Sequence, residues 1–89
     1  MLIALIARDK PGALQTRKDT RDAHVAYLKS GDTVRQAGPL LDAAGEMCGS
    51  LVVLEVEDMA AAEAWAEADP YARAGLFESV ELIEWNKVI

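Results

Sequence analysis

Gly49-Ser50-Leu51-Val52-Val53-Leu54-Glu55-Val56 is apolar on both alternations, with Leu51 and Val53 on one side and Val52, Leu54 and Val56 on the other. Successive side chains of a strand point to opposite faces, so a run of this kind is covered on both. Leu2-Ile3-Ala4-Leu5-Ile6-Ala7 reads the same way and ends at the charged turn Arg8-Asp9-Lys10-Pro11-Gly12. Two such strands require a sheet with something packed on each face.

Upstream of Gly49, the polar turn Asp42-Ala43-Ala44-Gly45-Glu46 predicts a hairpin to a weakly alternating strand over Thr33–Leu40. Gly38 and Pro39 within it suit an edge strand or a backbone left open to a ligand. Between the first strand and this hairpin, Leu14, Arg21, Val25 and Leu28 share a helical face, with Arg17 and His24 on its margin and Tyr27 further round. Gly31 stands where a C-cap is expected, which gives a helix over Thr16–Lys29. Beyond Val56, Asp58 is a good N-cap for a second helix whose stripe Met59, Ala62, Trp65 and Ala66 leads on to Asp69. Pro70 disfavours a helical conformation at Asp69, a short helical turn follows to Arg73, and Gly75 stops it. Phe77–Trp85 is the fourth strand.

The order β-α-β-β-α-β is the ferredoxin-like arrangement, an α+β fold with a four-stranded antiparallel sheet and two helices on one face. The helices leave the other face open, and its apolar residues call for a second copy of the same sheet. A homodimer through the open sheet face is therefore expected. Covering even ~500 Å² of apolar surface per subunit is worth about 12 kcal/mol of gross transfer energy, before the cost of association.

Composition narrows the function. The chain has 89 residues, enough for a single domain spanning 1–89, and 52% of them are hydrophobic. Its net charge of −6 lacks the basic footprint of nucleic-acid binding and argues against an anionic membrane as partner. The opening run Met1–Ala7 is too short to span a bilayer and carries no positive leader, so it reads as a strand. One cysteine, Cys48, and one histidine argue against a disulfide framework and a structural zinc site, and the cytoplasm is the expected compartment. Cys48 has no basic neighbour in sequence and reads as an incidental thiol.

His24 is the one side chain with an ordinary pKa near neutrality. Asp69, before Pro70, is the expected N-cap of a short helix, with a second oxygen left to orient a histidine. If both point into one pocket, they form the minimal general acid–base unit, the carboxylate fixing the tautomer and stabilising the imidazolium. The structural alternative is a histidine bonded to backbone and an aspartate that only caps. Tyr27 and Tyr71 can add hydroxyls, Arg17 or Arg8 can hold a substrate anion, and Ser50 can hydrogen-bond, though each also suits packing or solvated surface. No metal or organic cofactor is expected.

Taken in order, Arg21-Asp22-Ala23-His24-Val25-Ala26-Tyr27-Leu28, Gly38-Pro39-Leu40, Gly49-Ser50-Leu51-Val52-Val53-Leu54-Glu55, Asp69-Pro70-Tyr71, Ala74-Gly75-Leu76 and Trp85 resemble the YciI-like (YCII-related) family. The likeness runs over essentially the whole chain, with Glu84 standing before Trp85 where relatives often carry proline. It implies a ferredoxin-like subunit that dimerises into an α+β barrel, and a His–Asp pair that falls on His24 and Asp69. It also implies cofactor-free acid–base chemistry on a small cyclic or aromatic-derived molecule, of lyase, dehalogenating elimination or isomerase type. A non-catalytic small-molecule-binding or accessory module is the other expectation.

Overall fold

The computed structural model describes residues 1–89. Four strands and three helices follow one another as β1 (Leu2–Asp9), α1 (Leu14–Lys29), β2 (Val34–Leu41), β3 (Met47–Glu55), α2 (Met59–Ala68), α3 (Pro70–Arg73) and β4 (Phe77–Trp85). The sheet runs in the order β2-β3-β1-β4 with every neighbour antiparallel, which is the ferredoxin-like fold. The doubly apolar strands β1 and β3 lie side by side at its centre, as their composition demands.

Alternation divides the sheet cleanly. Ile3, Leu5 and Ala7 pair in register with Leu54, Val52 and Ser50, and all six are buried beneath the helices. Ala62 of α2 completes that core, with Leu28, Trp65, Phe77 and Leu82 packed around it. On the opposite side Leu2, Ala4 and Ile6 face Val53 and Leu51 on one flank, and Trp85 and Ile83 on the other. Leu51, Ile83 and Trp85 are 41%, 45% and 40% exposed, so this face is apolar and uncovered within one chain. No helix is long and apolar enough to cross a membrane.

Several boundaries differ from the expectation, each for a local reason. β1 continues to Asp9 because the charged turn is still paired with β4, through a bulge between Arg8 and Asp9. The first helix starts at Leu14, two residues before Thr16, and it ends on Ser30 in a right-handed conformation, so Gly31 is not its C-cap. The Ser30 amide and hydroxyl both donate to the Tyr27 carbonyl and close that end without a left-handed residue. Gly75, by contrast, takes a φ of +71° as a stop after α3. At Gly49 a side chain would collide with the Ala7 carbonyl, so glycine lets β3 close on β1 just before Ser50.

Burial along α1 departs furthest from the sequence reading. Its two buried residues are Arg17 and His24, which the apolar pattern places on the margin, whereas Val25 and Leu28 are half-buried. The inward line of α1 is polar because it closes one side of a cavity.

Candidate active site

Asp69 is held by its neighbours before it does anything else. It ends α2 and begins α3 in an extended conformation (φ −60°, ψ 128°) that the following proline favours. Its Oδ1 accepts the Tyr71 backbone N–H at 3.0 Å, the capping bond expected of this residue. His24 Nδ1 lies 2.7 Å from the same atom, with both side chains almost wholly buried. One carboxylate oxygen therefore serves the cap and the histidine together, rather than each taking its own.

An ionised Asp69 requires the proton on Nδ1, which leaves the lone pair of His24 on Nε2. Nε2 has no protein partner, yet no buried side-chain nitrogen or oxygen is left unsatisfied. It therefore reaches open space, and His24 lines a cavity of about 130 Å³ between α1 and the sheet.

Tyr71 and Arg17 build the adjoining wall. The Tyr71 ring stacks on the imidazole with centroids 3.8 Å apart and planes 15° from parallel, while the Arg17 guanidinium lies 4.6 Å from the same ring centroid. Arg17 and His24 are two helical turns apart on α1, a rise of about 10.5 Å, which leaves room for one ring between them. Tyr71 fills that gap and fixes the imidazole plane.

Arg17 is 2% exposed. Its Nε and Nη2 donate to the two oxygens of Asp9 at 2.7 and 2.8 Å, and Nη2 also donates to Ser50 Oγ at 3.0 Å. Burial works against the guanidinium charge, but the hydrogen bonds and charge of Asp9 outweigh it, and the Arg17 pKa is raised. With its oxygen accepting from Arg17, the Ser50 hydroxyl keeps its own proton for the cavity that it lines.

Both tyrosines of the chain have pKa values raised above the ordinary 10.0. For Tyr71 burial is the main cause, with Arg17 pulling the other way; for Tyr27 burial is joined by the charge of Asp69. Both tyrosines of the native protein are thus expected to ionise at higher pH than in the urea-unfolded chain, so that at pH 10.0 the native protein shows less tyrosinate absorbance. A raised pKa contributes stability that is complete below the unfolded value and lost as pH climbs through the folded one. An ultraviolet titration showing native ionisation at or below the unfolded midpoint would contradict this.

Of the residues singled out from sequence, His24, Arg17, Ser50 and Tyr71 line the cavity, and Asp69 stands behind His24. Tyr27 does not join them: its hydroxyl donates to the Trp65 carbonyl at 2.8 Å and its ring leans on the Trp65 indole. Asp9 and Arg21 were not singled out as site residues. Asp9 continues the alternation Ile3, Leu5, Ala7 onto the helix-covered face, and Arg21 lies one turn from both Arg17 and His24. No three His, Cys, Asp or Glu side chains are grouped to hold a metal.

Residues 1–86 match the YCII-related domain family. "Protein YciI" of Escherichia coli O6:H1 is 38% identical over a 97-residue alignment covering 99% of each chain. Among solved structures, 5-chloro-2-hydroxyhydroquinone dehydrochlorinase (TftG) from Burkholderia phenoliruptrix AC1100, in complex with 2,5-dihydroxybenzoquinone, superposes with a TM-score of 0.90. It is 34% identical, over 97% of this chain and 94% of that one. A Bacteroides thetaiotaomicron structure described as an antibiotic biosynthesis monooxygenase, 13% identical over 100% of this chain and 90% of that one, superposes at 0.64 and shares the fold alone.

Proposed function

The chain belongs to the YCII-related domain family, and from that membership we propose that it is a small cytoplasmic enzyme of cofactor-free acid–base chemistry, with His24 as its base. The observation that carries this reading is the buried 2.7 Å contact between His24 Nδ1 and Asp69, with Nε2 facing a cavity. In an elimination Nε2 takes a proton from the substrate, the freed electron pair becomes the new π bond, and the leaving group departs with its own pair. Asp69 holds the lone pair on Nε2 and stabilises the imidazolium that forms. Ser50 and Tyr71 contact the ring, and Arg17 polarises the Ser50 hydroxyl from behind. A dehydrochlorinase at 34% identity supports a step of this kind on a small ring.

The test is chloride release from a panel of chlorinated hydroquinones that includes 5-chloro-2-hydroxyhydroquinone. Turnover by the wild type that falls by about 10³- to 10⁴-fold in His24→Ala, with unchanged circular dichroism, is the expected result. A binding module without chemistry is the second reading, favoured by the Asp69 cap, which accounts for that residue without catalysis. Binding of the panel with no turnover of any member would select it.

The working unit is a homodimer with the open sheet faces together. Leu51 and Ile6 pair near the middle of that face, so Leu51→Glu would place an uncompensated charge in the joint. Sedimentation should show a dimer for the wild type at micromolar concentration and a monomer for the variant. A monomeric wild type would remove the dimer from the proposal.

A further inference from the structure

The charges around the cavity do not cancel, and we infer from them the class of molecule it holds: a small ring compound with one negative charge, its anionic group paired with Arg21. This rests on the reading of the cavity as a ring-binding site. The chain carries 15 acidic residues against 9 basic ones, yet the 12 residues lining the cavity include two arginines and no carboxylate.

The two arginines are in different states. Arg17 is neutralised by the bidentate Asp9 behind it, and Asp69 is engaged by His24. Arg21 takes part in none of the ion pairs of the fold, and its guanidinium makes no hydrogen bond to the protein. It is exposed at the cavity mouth, one turn along α1 from His24. Between them Val25, Leu28, Pro39 and Val52 give apolar walls for a ring.

Orientation follows from the same charges. An anionic group turned toward Asp69 meets a like charge behind the imidazole, whereas one turned toward Arg21 meets the free cation. The ring then enters with its uncharged edge toward Nε2 and its charge at the mouth, which makes Arg21 a residue of specificity.

Benzoate and benzamide, equal in shape and different in charge, test this by ligand-observed NMR on the intact protein. The wild type should prefer benzoate by about fivefold at low ionic strength, the scale of one solvent-exposed ion pair. The preference should fade in ~0.5 M sodium chloride, where the screening length falls to a few ångströms. Arg21→Gln should abolish it by weakening benzoate, and Arg21→Glu should reverse it. Equal binding of the two by the wild type, or a preference that survives Arg21→Gln, overturns the inference and leaves the ring site standing. If the wild type binds neither, both fall together. A charge preference without any turnover supports the inference even where the catalytic reading fails.

Discussion

Asp9→Asn is expected to destabilise the fold by roughly 3 kcal/mol. The substitution leaves the Arg17 guanidinium buried, 2% exposed, with no anion beside it. Removing one partner of a buried pair costs ~3–5 kcal/mol, because the charge that remains has lost both its water and its counter-ion. The lower end applies here, since Arg17 lines the cavity and can recover some hydration through it. For a domain of this size the loss is a large share of a total stability on the order of 5–10 kcal/mol. The double variant Asp9→Leu with Arg17→Met, which replaces the pair with apolar side chains of similar size, should return most of it. Urea unfolding read by tryptophan fluorescence gives the three stabilities. A loss below about 1 kcal/mol for Asp9→Asn would mean that water already solvates the pair.

That pair also shows where the sequence stops being readable. The central strands declare themselves because β1 and β3 are apolar on both alternations, and a period of two survives without any knowledge of partners. Asp9 belongs to the same alternation, but its position in Arg8-Asp9-Lys10-Pro11-Gly12 looks like a solvated turn. Nothing in the local pattern says that β4 pairs beyond Ala7 and keeps the strand going. Arg17 is misplaced for a related reason: an arginine is assigned to a helix margin unless a carboxylate is known to wait beneath it, and this one arrives from β1.

His24 and Asp69 are 45 residues apart, and no periodicity relates positions at that separation. Their meeting follows from topology, since α3 packs beside α1 and presents Asp69 from the end of α2. Family resemblance points to the pair. What neither spacing nor resemblance supplies is that a single oxygen carries both bonds, or that Tyr71, the residue whose amide closes the cap, lays its ring on the imidazole. The cap, the stack and the His contact thus form one unit.

Asp69→Asn should for this reason lower turnover by about 10²- to 10³-fold, less than His24→Ala, for which ~10³- to 10⁴-fold is expected. In an Asp–His pair an asparagine can fail in two ways: by turning its amide nitrogen toward the histidine and imposing the wrong tautomer, or by keeping the right tautomer without the charge. Here the Tyr71 N–H and His24 Nδ1 converge on one atom. An amide nitrogen at that position would forfeit the cap and face a second N–H, so the asparagine is pinned with its oxygen inward. The tautomer survives, and the loss is that of a negative charge next to the developing imidazolium. Asp69→Asn should likewise keep nearly full stability, while Asp69→Ala loses the cap, about 1 kcal/mol. His24 is the one histidine of the chain, so its nitrogen-15 chemical shifts report the tautomer without ambiguity. The proton should stay on Nδ1 in Asp69→Asn. A proton found on Nε2, with turnover as low as in His24→Ala, would show that the cap does not pin the amide; unchanged turnover would remove Asp69 from the chemistry and leave it a cap alone.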